Sequence, residues 1–411
     1  MALIDVFLRR AFKRGELTVT LPNGTTQTYG RPDPDLPPVA IRFADNGVIR
    51  GILRDPALGA GEAFMDGRLL IERGDVFDFL KLATANSLYE DGANALDASW
   101  ARRLAGKVAH RWQTHNARAR AKRNVAHHYD LSDRLYDLFL DADRQYSCAY
   151  YAGDPATETL EQAQDDKKAH IAAKLALEPG MRVLDIGCGW GGMALYLHAK
   201  TGADVTGVTL SEEQLKVARR RAEEAGVSDH VRFELIDYRN VTGTFDRIVS
   251  VGMFEHVGPA NYPAFFRKVR DLLTPDGVAL VHTIGRANGP GFTDAFTTKY
   301  IFPGGYNPAL SEMMTASNGL NWFVSDVETL RLHYAHTLKA WYDRTVAARD
   351  AIVALYDDRF YRMWTFYLAG AWAAFAQGGL VNYQVQFCRN RHTLPITRDY
   401  MIDGERRLRA W

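Results

Sequence analysis

The sequence predicts an α/β fold: a doubly wound, Rossmann-like sheet from about residue 126 onward, preceded by a smaller mixed domain over residues 1–125. Three observations carry this. The run Val183-Leu-Asp-Ile-Gly-Cys-Gly-Trp-Gly-Gly192 sends an apolar strand directly into a glycine turn. Strand-like segments then recur at 204–210, 231–237, 245–251 and 278–282, with the turn Thr274-Pro-Asp-Gly277 before the last, which is the rhythm of alternating strands and helices. Before residue 125 the texture changes to short β-rich runs around Asn-Gly pairs.

Taken in order, Ile4, Phe7, Leu8 and Phe12 with Arg9, Arg10, Lys13 and Arg14 form a basic amphipathic candidate for a membrane surface. Pro22-Asn-Gly24 and Asp45-Asn-Gly47 predict two hairpin turns, flanked by strands at 17–21, 39–43 and 48–53. A helix is expected at 76–82. Trp100, Leu104, Val108 and Trp112 then draw one apolar stripe at helical spacing. Around it stand Arg102, Arg103, Lys107, Arg111, Arg118, Arg120, Lys122 and Arg123, with no acidic residue between Asp97 and Asp130. The plain reading of that stretch is a solvated linker helix; the functional one is attraction to an anionic lipid surface, on the order of 1 kcal/mol per basic residue. Nucleic acid would use the same charge, but no Asn-Pro-Pro-aromatic or Pro-Cys methyltransferase motif is present, so none is expected. Residues 363–387 lack charge and are long enough to span a bilayer, yet Gln377-Gly-Gly379 interrupts them and Asn382, Gln384 and Gln386 alternate with apolar residues. A buried helix followed by the final strand is expected there.

With 411 residues, 47% of them hydrophobic, the chain has ample core for two or three domains. Its net charge of +1 selects no partner. Cys148, Cys188 and Cys388 form no CxxC pair, and the first ten residues break their apolar run with Asp5 and Arg9. A reduced, cytoplasmic protein without a disulfide framework or secretory signal is therefore expected. His127, His128 and His256 resemble metal ligands only superficially, and no metal is assigned.

The glycine turn suits a nucleoside cofactor, because Gly187, Gly189 and Gly191 let a ligand lie against main-chain N–H groups, with Asp185 just ahead. Gly187-x-Gly189-x-x-Gly192 also fits the dinucleotide fingerprint, which leaves an NAD-linked oxidoreductase as a rival. An NAD enzyme normally ends its second strand in an acid for the ribose, whereas this one ends in Thr209. That favours S-adenosylmethionine, as does the order of the later strands.

Beyond the turn, Gln145-Tyr-Ser-Cys-Ala-Tyr150, Val251-Gly-Met-Phe-Glu-His-Val-Gly258, His282-Thr-Ile-Gly285, Ile301-Phe-Pro-Gly-Gly305 and Tyr334-Ala-His-Thr-Leu-Lys-Ala-Trp341 resemble the cyclopropane fatty acid synthases, from about residue 126 to about 390. The resemblance implies a class I S-adenosylmethionine-dependent methyltransferase with a seven-stranded sheet. In its chemistry a cis alkene attacks the sulfonium methyl, and the resulting carbocation loses a proton from the new methyl to close the ring. The base implied is a bound bicarbonate ion, held by Cys148, Glu255, His282, Tyr334 and the main chain of Ile284. Ionised Glu255 would repel that anion, so it is expected to accept the bicarbonate O–H or to orient His282. Read without the resemblance, Cys148, His282 and Tyr334 are ordinary buried residues. A thiol that some members carry in the late apolar helix is replaced here by Ala371.

For the cofactor, the resemblance assigns Tyr146 and Ser147 to the methionine end, Asp185, Gly187, Gly189 and Gly191 to the cradle, Thr209, Leu210 and Gln214 to the ribose region, and Asp237, Tyr238 and Arg239 to the adenine region. The Phe302-Pro-Gly-Gly305 segment has the composition of a mobile cover. The N-terminal domain favours unsaturated phospholipid acyl chains in a bilayer, with the enzyme attached peripherally to the inner face of the membrane; a homodimer stays open. Rival readings are a methyl- or methylene-branching acyl methyltransferase and a non-catalytic lipid-binding protein.

Overall fold

The computed structural model describes residues 3–91 and 132–409. They fall into two compact units whose boundaries differ from the expected break near residue 125. One unit gathers the N-terminal residues with Phe292–Pro303 and Ala335–Leu380; the other holds the described residues 132–291, Gly304–Tyr334 and the chain from Val381 onward. The basic stretch and its apolar stripe, residues 100–123, and His127-His128 lie outside the described residues.

In the first unit β1 (Gly15–Thr20) and β2 (Thr26–Arg31) form the hairpin expected at Pro22-Asn-Gly24, and β3 (Val39–Phe43) and β4 (Leu69–Arg73) complete a sheet of order β2-β1-β3-β4. The second expected hairpin is a helix instead, Asn46–Arg54. Asp45 caps it by accepting from the Gly47 N–H at 2.6 Å, and Arg68 grips both Asp45 oxygens at 2.5 and 2.8 Å. Val48 and Ile52, four apart, are the residues this helix buries, so the period is helical and not that of a strand. The N-terminal segment is a helix, Leu3–Ala11, but Ile4, Leu8 and Ala11 are consumed by the core with Leu17, Val19 and Ile41. That apolar face is not available to a bilayer, which corrects the amphipathic-anchor expectation.

The run that imitated a membrane span divides into a helix, Asp358–Ala376, and a strand, β11 (Leu380–Cys388), as expected. Among the described residues no helix is long and apolar enough to cross a membrane. This helix belongs to the first unit because it buries its aromatic side against the helices Pro56–Met65 and Val76–Ala85: Trp372 lies 4.4 Å from Phe77, and Phe366 packs where a Cβ on Gly61 would approach within 2.8 Å.

The second unit is a seven-stranded sheet of order β10-β11-β9-β8-β5-β6-β7. Its strands are β5 (Arg182–Ile186), β6 (Asp204–Thr209), β7 (Val231–Leu235), β8 (Phe245–Val251), β9 (Leu273–Arg286), β10 (Phe323–Leu330) and β11. Strands β7-β6-β5-β8-β9 run parallel, while β10 and β11 pair antiparallel. Near-continuous burial of β5 and β8 follows from helices on both faces. One of these, Leu160–Leu175, opens with a capping box in which Thr159 and Gln162 bond reciprocally.

Candidate active site

Successive strands from β5 run to β6 and β7 on one side and to β8 and β9 on the other. A cleft opens at their carboxyl ends around that reversal, where doubly wound sheets hold ligands. Of the expected cofactor residues, Tyr146, Ser147, Asp185, Gly187, Gly189, Thr209, Leu210, Gln214, Asp237, Tyr238 and Arg239 line it. Gly191 does not. All three turn glycines have positive φ, but their roles differ. A Cβ on Gly189 would meet nothing within 4 Å, so this position opens onto free space, whereas one on Gly191 would strike the Phe233 ring at 2.7 Å. Gly191 therefore serves the packing of the following helix, Gly192–Thr201, on the sheet.

Asp185 is almost fully buried, its Oδ2 has no hydrogen-bond partner among the described residues, and burial pushes its carboxyl up to about 7. An orphaned carboxyl oxygen beside an open glycine turn fits a ligand that brings a donor. Asp237 is instead spent on Arg239, which grips both its oxygens at 2.8 and 2.5 Å and stands over the Tyr238 ring at 5.6 Å. Thr209 and Gln214 are tied to each other at 3.2 Å. The cleft also takes Trp190, inside the expected cradle, and Gln145, Met253 and His256, which sequence reasoning had not assigned to the cofactor. Gln145 and the Met253–His256 stretch sat inside quoted motifs, so position in those strings was the available signal. Burial drives the His256 imidazole down to about 4, leaving it neutral at physiological pH.

The residues expected around the anion are only partly assembled. Glu255 is buried; its Oε1 accepts from the Ile284 N–H at 2.7 Å and its Oε2 has no partner among the described residues. Burial pushes this carboxyl up to about 7, with the Ile284 N–H pulling the other way. The Ile284 amide, expected to face an anion, is thus taken by Glu255. His282, two residues earlier on β9, has Gln384 Nε2 3.1 Å from Nδ1 and Asn382 Nδ2 3.4 Å from Nε2. Burial drives this imidazole down to about 3. A neutral ring has one N–H and one lone pair, so one of the two amides must present its oxygen, and both oxygens are otherwise without partners among the described residues. The expectation that His282 donates to an anion is not met by this arrangement, because β11 occupies both ring nitrogens. Cys148 is buried, its thiol pushed far up by desolvation, with Sγ 3.2 Å from the Ala149 carbonyl. Tyr334 is buried beside His333, whose Nδ1 accepts from the Tyr151 N–H at 3.0 Å.

Against known proteins, the family model described as mycolic acid cyclopropane synthetase matches residues 116–385. The chain belongs to this family. It is an S-adenosylmethionine-dependent methyltransferase with the class I fold, which removes the NAD-linked rival. A domain of unknown function matches residues 3–90. Cyclopropane-fatty-acyl-phospholipid synthase of Escherichia coli (strain K12) is 39% identical over 354 residues, covering 86% of this chain and 88% of that protein. A tuberculostearic acid methyltransferase of Mycobacterium tuberculosis is 34% identical over 396 residues, covering 93% and 90%. A mycolic acid cyclopropane synthase solved with SAH and CTAB superposes with a TM-score of 0.62 at 34% identity, covering 65% of this chain and 98% of that one.

Among the described residues one group could bring metal-ligating atoms together: His198, Asp204 and His230, within 4.8 Å of one another. It sits where β6 and β7 begin, at the opposite end of these strands from the cleft.

Proposed function

We propose that this synthase-family enzyme adds a methylene group from S-adenosylmethionine across the cis double bond of unsaturated phospholipid acyl chains, producing cyclopropane chains. The extent of similarity carries the substrate class: the E. coli phospholipid synthase matches 86% of this chain, the solved mycolic acid synthase only 65%. S-adenosylmethionine supplies an electrophilic methyl on a sulfonium. The chain's own residues position it: the turn 187–189 offers main-chain N–H groups, Asp185 an acceptor, and the Asp237–Arg239 pair a rigid wall. Holding methyl and alkene in near-attack geometry contributes up to roughly 7–11 kcal/mol.

The proton released on ring closure needs an acceptor beside an apolar chain. The orphaned Oε2 of Glu255 fits the single O–H of a bicarbonate ion, which would supply that acceptor. Glu255 would hold it, with Cys148 and Tyr334 completing the pocket. The Ile284 N–H acts through Glu255 by fixing Oε1, and His282, locked by Asn382 and Gln384, orients the strand. The enzyme works at the inner face of an anionic membrane as a peripheral protein.

Expression in a host without cyclopropane lipids, followed by proton NMR of its phospholipid acyl chains, tests this. Upfield three-membered-ring resonances are expected; unaltered alkenes would overturn the reading. The 34% identity to the tuberculostearic acid methyltransferase over 396 residues favours one alternative, a methyl-branched product, and a methyl doublet in the same spectrum would identify it.

A further inference from the structure

Lys167 lies wholly inside the second unit, outside the cleft lining, and its ammonium donates to Gln145 Oε1 and to Ser147 Oγ, the latter at 2.9 Å. No carboxylate stands within ion-pair distance of it among the described residues. Burial lowers its pKa to about 8, against the pull of Asp141, so it is charged at neutral pH. On the same face of the helix Leu160–Leu175, Gln164 Nε2 donates to the carbonyls of Gln145 at 3.2 Å and Ser147 at 3.0 Å. Gln145 Nε2 in turn donates to Asp143 at 2.9 Å. Two buried side chains, three apart, thus hold the 145–147 main chain and set the direction of its hydrogen bonds.

An ammonium has donors and no acceptor, so the Ser147 hydroxyl that accepts from it must send its own proton elsewhere. No described residue takes that proton, and Ser147 lines the cleft. We propose that Lys167 is a positioning residue which makes the Ser147 hydroxyl an obligate donor into the cleft, where it receives the carboxylate at the amino-acid end of the S-adenosyl ligand. A donor hydroxyl backed by a buried positive charge favours an anionic acceptor over a neutral one. This rests on the cleft holding S-adenosylmethionine, and it adds a residue that no cleft contact reveals.

The test is calorimetry on the full chain with S-adenosylhomocysteine and with 5′-methylthioadenosine, which keeps the nucleoside and thioether but lacks the amino-acid end. Ser147→Ala and Lys167→Met should each bind S-adenosylhomocysteine about ten- to hundredfold more weakly, as expected for a lost hydrogen bond to a charged group. Affinity for methylthioadenosine should stay within about twofold of wild type, and the double variant should lose little beyond either single one, since both remove the same interaction. Parallel loss of both ligands would make Lys167 merely structural and overturn the proposal, as would unchanged S-adenosylhomocysteine affinity or additive losses. Should Lys167→Met fail to fold, Ser147→Ala alone still decides whether the hydroxyl serves the amino-acid end: equal effects on both ligands overturn it. Wild-type protein that binds neither ligand would overturn the cofactor reading and the proposal with it.

Discussion

Asp185 and Glu255 each keep one carboxyl oxygen without a partner among the described residues, and burial pushes both up to about 7 from ordinary values near 4. A carboxyl whose folded-state pKa is raised contributes stability that is fully present below its unfolded pKa and is lost as pH rises through the folded value. The ligand-free protein should therefore lose stability between about pH 4 and pH 7 on account of these two groups. Asp185→Asn removes one of the burdens: thermal unfolding at pH 8 should show a gain of about 1–3 kcal/mol, while calorimetry shows weaker S-adenosylmethionine binding. A lower melting temperature at pH 8 would mean that Asp185 has a partner in solution. Glu255→Gln should cut turnover by about a hundredfold or more and leave cofactor affinity within about twofold, because Glu255 stands outside the cradle. Wild-type turnover should rise as pH passes through about 7, where Glu255 ionises, and the Gln variant should lack that rise.

The glycine turn between β5 and the helix Gly192–Thr201 divides its labour by position. Gly189→Val should abolish S-adenosylhomocysteine binding, since the position opens onto space that the ligand needs, at a folding cost of about 1 kcal/mol for the left-handed backbone. Gly191→Ala adds a clash with Phe233 to the same backbone cost, and urea unfolding should show a further loss of about 1–3 kcal/mol. Equal stability of the two variants would remove the distinction. The turn was legible in the sequence because its glycines, their strand and their helix are contiguous. Asn-Gly at 46–47 misled because the dipeptide signals a hairpin, while Asp45 caps a helix whose buried pair, Val48 and Ile52, belongs to a core assembled from distant strands. Lys167 carries no local signal in Gln-Asp-Asp-Lys-Lys, since it is the packing of its helix that buries both Lys167 and Lys168. The pinning of His282 needed β11 beside β9, a pairing a hundred residues apart in the chain that no local pattern announces.

At the scale of the whole molecule, a net charge of +1 gives no reason to approach an anionic bilayer, so attraction must come from a local concentration of charge. The N-terminal helix does not supply an apolar face, since Ile4 and Leu8 are in the core and Arg9 pairs with Asp5 at 3.2 Å. The stretch between Asp97 and Asp130 is such a concentration, holding basic residues and no acid. Exposed charges act over the Debye length, about 8 Å at physiological ionic strength, so binding that depends on them should weaken steadily with salt. Replacing Arg118, Arg120, Lys122 and Arg123 by Gln should abolish cosedimentation with anionic vesicles and activity on bilayer substrate. Affinity for S-adenosylmethionine should be retained, because the described residues that line the cleft lie elsewhere in the chain. Equal cosedimentation of wild type and variant on neutral and anionic vesicles across a salt series would assign the stretch to a linker and place membrane attachment on another surface.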